Sequence, residues 1–233
     1  MATKAELKKK IAAARKAKNS ASKALKNLAD VKAPKGAHKA LRALRERLRG
    51  IRERMVERIP VLKHRLEAKR HNGAADAVKW AKAQLGATEN PAGSNRGPYP
   101  VSACQTFTIG YDGVPWCGCF VSLAASKGGA KFPSKSRLAY TPYICADANS
   151  GSNGLKKVST SSVQAGDFVV FNFDGGVPDH VGLAIGPAEN GMTNCIEGNT
   201  SSGSSGSQDN GGGVFQRHRP TYQVACVARP DYS

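Results

Sequence analysis

Residues 167–186 read DFVVFNFDGGVPDHVGLAIG, and this stretch decides how the second half of the chain folds. Two apolar runs, residues 167–173 and 180–186, flank a turn-forming Gly-Gly-Val-Pro segment at residues 175–178. Apolar runs of this length with glycine and proline between them are typical of strands joined by a short connection. Further runs of the same kind follow at residues 193–197, 213–216 and 223–228. The sequence therefore predicts an antiparallel sheet in this half of the chain.

Helices are predicted before these strands. Residues 74–85 form a short helical pattern ended by Gly86, and a second helix is expected to begin near Cys117. Helices followed by strands indicate an α+β fold, in which helices pack on one face of an antiparallel sheet. Residues 201–213, mostly serine and glycine, predict a flexible connection between two strands.

Charge divides the chain into two chemically different parts. The whole protein has 35 Lys and Arg against 17 Asp and Glu. Residues 1–71 hold 23 of the basic and 6 of the acidic side chains, a net charge of +17, which leaves residues 72–233 at +1. We therefore predict two domains, residues 1–71 and residues 72–233.

The basic part is predicted to be a coiled-coil-like helical hairpin. Apolar residues in the first helix, residues 3–29, recur at alternating spacings of three and four and form a narrow seam. Pro34 breaks the pattern, and a second periodic run extends from Leu41 to Met55. Pro60 either kinks this second helix or begins a new one. The seam could close the hairpin on itself or form an oligomer interface.

The positive charge of residues 1–71 favours a polyanionic partner, which could be DNA, an anionic lipid surface or an anionic bacterial wall polymer. This segment contains no aromatic residue and no zinc-finger spacing, so specific nucleic-acid recognition has little support. No apolar stretch is long enough for a transmembrane segment, and the first residues do not resemble a signal peptide. We therefore expect a cytosolic chain whose six cysteines are reduced.

Cys117 is the first candidate for a reacting group. It follows Pro115 and Trp116 and falls in the first turn of the predicted helix, where unpaired backbone donors and the helix dipole stabilise a thiolate. Cys119, two positions further on, faces away from Cys117. Buried cysteines more often act as small apolar core residues, so this position alone does not establish a nucleophile.

A nucleophilic cysteine needs a base, and His180 at the head of a predicted strand is the best candidate. The other histidines lie in or beside the basic segment, except for His218, which stands between two arginines that disfavour an imidazolium. An oriented histidine also needs an acceptor, and Glu197 and Asn199 lie at the end of a neighbouring predicted strand. The alternative for Glu197 is a solvated charge at a strand end.

Four motifs in this order resemble those of CHAP domains, the cysteine- and histidine-dependent amidohydrolase/peptidase family. They are WCGCFV from Trp116, AGDFVVF from Ala165, DHVGL from Asp179 and EGNTS from Glu197. The resemblance covers roughly residues 73–232 and implies a papain-like fold. Residues 90–97 and 210–215 are similar to segments in lysins from phages of Gram-positive, especially actinobacterial, hosts.

The resemblance also implies a role for each site residue. Cys117 would be the nucleophile, His180 the general base, Glu197 the residue that orients the imidazole, and Asn199 an accompanying polar residue. Gly118 stands where the family usually has alanine, and Cys119 replaces another small residue. No cofactor is implied. Some relatives bind calcium before the cysteine, but that stretch offers only Asp112 here, so we predict no metal.

The activity implied is hydrolysis of peptidoglycan amides by a phage endolysin. Such an enzyme waits in the host cytoplasm until the membrane is permeabilised and then reaches the wall. The sequence leaves open whether the bond is the N-acetylmuramoyl-L-alanine amide or a peptide bond of the stem or cross-bridge. Two alternatives are a virion-associated tail lysin docked through the hairpin, and an inactive CHAP-like protein that binds through its basic arm.

Overall fold

The computed structural model describes residues 4–34, 36–68, 73–203 and 205–232. The chain forms two compact units, Met1–Arg70 and His71–Ser233. The boundary that charge predicts at residues 71 and 72 lies outside the described residues, as does the first residue of the helix predicted from residue 3.

The first unit contains two antiparallel helices, α1 (Lys4–Asn27) and α2 (His38–Ala68). Leu7 and Ile11 near the start of α1 pack against Leu62 near the end of α2. At the other end, the guanidinium of Arg45 donates a hydrogen bond to the carbonyl of Leu28. The helix α2 continues through Pro60, so no new helix begins there. None of the helices in the described ranges is both long and apolar enough to span a bilayer.

The second unit begins with four helices. Their bounds are α3 Ala74–Lys82, α4 Val101–Ile109, α5 Cys117–Lys127 and α6 Thr141–Ser150. Residues 117–125 of α5 are all buried, because this helix contacts α3, α4 and two strands of the sheet at once. A helix that is apolar all round is expected at such a central position.

In the described part of this unit, six strands follow and form one antiparallel sheet in the order β1-β6-β2-β3-β4-β5. Their bounds are β1 Leu155–Val158, β2 Phe168–Phe171, β3 His180–Ala184, β4 Met192–Thr200, β5 Gly213–Pro220 and β6 Val224–Pro230. The prediction of an α+β fold with an antiparallel sheet is confirmed. The strand β1 was not predicted, because its two central lysines are exposed and give no apolar run.

The sheet is buried on both faces. Phe168 and Val170 of β2 belong to the main core with the helices, whereas Val169 and Phe171 belong to a smaller cluster on the opposite face. This division follows the two-residue alternation of side chains along a strand. Cys195 of β4 lies in the smaller cluster too.

A disulfide links α6 to β6. It joins Cys145 to Cys226, whose Cα atoms are 5.9 Å apart. The prediction that all six cysteines are reduced is therefore wrong for this pair. The two residues are 81 positions apart in sequence, and only the packing of α6 against β6 brings them together. The other four cysteines are free and buried.

The serine- and glycine-rich connection between β4 and β5 differs from the flexible linker that its composition predicts. Gln208 organises it: its amide donates to the carbonyls of Gly203 and Gly206, and its own carbonyl accepts the Thr200 hydroxyl. Its side-chain oxygen accepts hydrogen bonds from Arg217 and Arg219 of β5. The described part of the connection is therefore anchored to the strands that it joins.

Candidate active site

Cys117 is the first residue of α5, as the sequence predicts. Trp116 precedes it with φ −126° and makes no side-chain cap, so the first-turn amides of α5 receive no capping side chain. The thiol is 4% exposed and lines a cleft of about 590 Å³. The cysteine therefore lies where a substrate could reach it from the cleft.

Gly118, which follows Cys117, packs very closely against a neighbouring turn of the chain. A Cβ at residue 118 would collide with the carbonyl oxygen of Leu138, in the short 3-10 turn Lys135–Ala139. Even the alanine that is usual in CHAP domains would not fit this backbone. Glycine at this position therefore lets the turn lie directly against the start of α5.

His180 is the first residue of β3 and pairs with Phe171 of β2. Its imidazole is completely buried, and its Nε2 lies 3.0 Å from Oε2 of Glu197. The ring stacks on Phe171 and Phe173, with centroids 6.3 and 5.7 Å away. Two aromatic neighbours and one carboxylate thus fix the orientation of the imidazole.

Glu197 reaches His180 because Gly182 leaves space between them. A Cβ at residue 182 would lie 2.8 Å from Cγ of Glu197. His180 and Gly182 are two residues apart on β3 and so share one face of the strand, which is the face that Glu197 crosses. The glycine of the DHVGL motif therefore provides the space that the Glu197 side chain occupies.

Arg219 of β5 completes the arrangement, and the sequence analysis missed it. Its Nε donates to Oε1 of Glu197 at 3.1 Å, and its Nη2 donates to Oε2 at 2.6 Å. Its guanidinium also lies over the ring of Phe173, 4.9 Å from the centroid. The only signal for it was indirect: a buried carboxylate requires compensating charge, and β5 lies beside β4.

These contacts determine the charge states of His180 and Glu197. Burial alone would lower the pKa of His180, but the Cys117 thiol and the Glu197 carboxylate outweigh it and raise the pKa to about 9. Burial would raise the pKa of Glu197, yet hydrogen bonds and charge from His180 and Arg219 hold this pKa below its ordinary value. An imidazolium beside a carboxylate is therefore the stable form near neutral pH.

The two ring nitrogens of His180 have different surroundings. Nε2 contacts Glu197, whereas Nδ1 is buried and makes no hydrogen bond to any described residue. Cys117 has the largest effect among those that raise the pKa of His180, so the thiol lies within interaction range of the imidazole. We interpret this as a long thiol–imidazole contact, because catalytic hydrogen bonds commonly tighten only when substrate binds.

The side-chain amide of Asn199, the fourth predicted site residue, makes its hydrogen bonds to the β4–β5 connection. Its Nδ2 donates to the carbonyl of Asp209 at 3.1 Å and to Oδ1 of Asn210 at 3.2 Å. It adopts φ +60° at a register shift in β4, between Glu197 and Thr200. The structure thus brings Cys117, His180 and Glu197 together, whereas the side-chain hydrogen bonds of Asn199 hold the β4–β5 connection.

The neighbouring thiols are poor nucleophiles. Burial, with a smaller effect of Cys117, raises the pKa of Cys119 to about 12. Burial also raises the pKa of Cys104, on α4, well above its usual value. Neither residue lines the cleft that contains Cys117. Cys117 lines the cleft, whereas burial opposes formation of a thiolate at Cys104 and Cys119, so Cys117 is the best candidate among the three.

Trp116 connects the helix start to the carboxylate strand, through contacts that the sequence analysis did not anticipate. Its indole Nε1 donates to Oε1 of the buried Glu89 at 3.0 Å. The same indole lies against Gly198, where a Cβ would be 2.6 Å from the ring. Trp116 thus positions Cys117 relative to the strand that carries Glu197.

No group of three or more His, Cys, Asp or Glu residues suited to a metal occurs in the described part of the chain. Comparison with known proteins gives no significant match to a protein-family model, a curated protein or a solved structure. The interpretation of the site therefore depends on its own geometry and on the four sequence motifs.

Proposed function

We propose that the second unit is a cysteine-type hydrolase of peptidoglycan amide bonds. The observation that carries the proposal is the buried series Cys117, His180, Glu197 and Arg219, whose thiol end opens into a cleft. Glu197 holds the base His180 through Nε2, and Cys117 has the largest effect among those that raise the pKa of this base. Covalent catalysis requires this order of nucleophile, base and acceptor. The resemblance to CHAP domains, with a papain-like fold, supplies the substrate class.

In this mechanism the Cys117 thiolate attacks the carbonyl carbon of the scissile amide. His180, protonated through Nδ1, gives its proton to the departing amine, and an acyl-enzyme thioester remains. His180 then removes a proton from water, whose oxygen attacks the thioester and releases the acid and the free thiol. First-turn amides of α5 are suitably placed to stabilise the oxyanion, since no side chain caps them.

Glu197 and Arg219 act through His180. The carboxylate accepts from Nε2, which leaves Nδ1 without a hydrogen bond to any described residue and available for proton exchange with the thiol. It also stabilises the imidazolium that forms in the ground state. Arg219 fixes both carboxylate oxygens, so that Glu197 stays ionised and oriented while buried.

We propose further that the first unit holds the enzyme on anionic wall polymers. Its basic side chains include the exposed residues Lys8, Lys9, Arg52 and Arg54. The enzyme is then a phage endolysin, made in the host cytoplasm and active after membrane permeabilisation. The Cys145–Cys226 disulfide fits a working place outside a reducing compartment.

The test compares matched cysteine variants on purified bacterial walls. We expect Cys117→Ala and Cys117→Ser to abolish release of wall fragments while keeping the wild-type thermal unfolding transition. Cys119→Ser, two residues further along the same helix, is the control and should retain substantial activity. Mass spectrometry of the fragments identifies the bond that is cut. Full lysis by Cys117→Ala would exclude the mechanism, and an intact wall after wild-type treatment would favour the inactive binding protein.

A further inference from the structure

The cleft that contains Cys117 has an uneven charge distribution. Its walls include Tyr111, Tyr140 and Val177, all well exposed, together with Thr141 and Pro178. Among the described residues that line the cleft, Asp179 alone has an ionisable carboxylate, and no lining residue is basic. A substrate that enters the cleft therefore meets aromatic and neutral surfaces and one acidic group.

Asp179 is held rigidly beside the base. Its backbone N–H donates to the carbonyl of Phe171, and its Oδ2 accepts the N–H of Phe173 at 2.9 Å. Thr141 fixes the preceding residue through a 2.6 Å hydrogen bond to the carbonyl of Pro178. Oδ1 has no hydrogen-bond partner among the described residues. The carboxylate is thus fixed in place and forms no salt bridge with a described residue. The imidazolium of the adjacent His180 is paired with Glu197 instead.

Nearby basic residues do not cancel this charge. Ser136 lines the cleft, and its neighbours in sequence are Lys135 and Arg137. Arg137 is paired with Asp147 through contacts of 2.6 to 3.0 Å. The ammonium of Lys135 lies 4.1 Å from the centroid of Phe107 and donates to the carbonyl of that residue.

We infer that Asp179 makes the cleft select substrates by charge, favouring a peptide with a protonated amine beside the scissile bond and disfavouring one with a carboxylate there. This inference depends on the proposed hydrolase function and specifies its substrate class. A fixed charge acts on another charge several ångströms away, so the selection requires no direct contact with Oδ1.

The experiment uses three soluble wall peptides that differ only at the side-chain amine beside the scissile bond. The amine is free, acetylated or succinylated, so that the side chain is positive, neutral or negative. We expect kcat/KM of the full-length protein to fall in this order, with about a tenfold difference between the first and the last. Raising the salt concentration should reduce this difference, because it screens exposed charges.

Asp179→Asn should remove most of the difference between the positive and the negative peptide, and this ratio of kcat/KM values is the readout, whatever the absolute rates. The amide keeps an acceptor for Phe173. Asp174→Asn is the matched control, because Asp174 lies in the same turn but does not line the cleft. Equal wild-type rates on all three peptides would overturn the inference, as would a full difference in Asp179→Asn. If Asp179→Asn does not fold, the order of the three wild-type rates decides, because the inference requires the positive peptide to be cleaved fastest and the negative peptide slowest. Failure to cleave any of the three would instead refute the hydrolase function.

Discussion

Arg219 determines whether Glu197 can remain charged inside the protein. The carboxylate is fully buried, and its two partners are an imidazole and a guanidinium. Removing one partner of a buried ion pair leaves an uncompensated charge, which is strongly destabilising. The positioning of His180 therefore depends on a residue that never contacts the substrate.

This dependence gives a first prediction at the residue scale. Arg219→Met should lower the free energy of unfolding by about 3–5 kcal/mol and reduce kcat. Combining it with Glu197→Gln should restore part of the stability, because the unpaired charge is then absent, but should not restore kcat. Urea unfolding and wall-fragment release measure the two effects. Arg217→Met is the control, since Arg217 bonds only to the β4–β5 connection; an equal loss there would contradict the role of Arg219.

The pKa of His180 predicts an alkaline limit. Because the folded-state pKa is raised to about 9, the stability that the imidazolium contributes is fully present below its ordinary pKa of 6.5. This contribution is lost as the pH rises through about 9. Glu197 has a lowered pKa, so its contribution is present above its ordinary value and is lost as the pH falls through the folded-state pKa.

We therefore expect kcat/KM to decrease on an alkaline limb near pH 9, in parallel with the free energy of unfolding. The imidazolium must be present to protonate the leaving amine, so both quantities report the same proton. Rates on a soluble wall fragment and urea unfolding, measured from neutral to alkaline pH, provide the check. An alkaline limb near pH 6.5 would mean that Glu197 does not stabilise the charged ring.

The sequence identified the candidate reacting residues but not the residues that support them. Cys117 and His180 were found because a helix start and a strand head are local features with recognisable motifs. Arg219 and Glu89 were missed because each acts on a residue more than twenty positions away, and no short motif encodes such a distance. Asn199 was grouped with the site by motif, whereas its own hydrogen bonds go to residues 209 and 210.

At the scale of elements, the disulfide between α6 and β6 joins the helical layer to the sheet. Closing a loop of this size restricts the unfolded chain, which in the chain-entropy description stabilises the fold by about 4–5 kcal/mol. We expect reduction to lower the midpoint of urea unfolding accordingly. The double variant Cys145→Ser/Cys226→Ser should already be less stable and should not respond to reductant. A reductant response in that variant would assign the effect to another thiol.

Most elements were predictable, and the exceptions have physical reasons. The strands β2 and β3 are apolar runs with turn residues between them, and these two sequence features identified both strands. The strand β1 is short and carries two lysines, so only its pairing with β6 identifies it as a strand. The connection at residues 201–213 has a linker-like composition, yet hydrogen bonds around Gln208 anchor it.

At the scale of the whole molecule, the division into two units can be tested by truncation. A truncated protein that begins near Gly73 should fold and cleave soluble wall fragments at close to the full-length rate. On intact walls it should lose much of its activity, together with the salt sensitivity that a surplus of +17 confers on the full chain. Both proteins are to be compared on fragments and on walls, at low and high salt. Inactivity of the truncated protein on every substrate would make the helical unit structurally necessary.

The series from Cys117 to Arg219 also has a consequence for protein engineering. When the thiol proton resides on His180, the four side chains alternate in sign as thiolate, imidazolium, carboxylate and guanidinium, and their charges sum to zero. A neutral set needs no counter-ion from solvent, which makes its burial under Phe173 tolerable. Grafting only the cysteine, histidine and glutamate onto another scaffold would transfer a net negative charge. In such a graft the uncompensated negative charge would favour the neutral thiol over the thiolate. The arginine therefore has to be transferred with the other three residues.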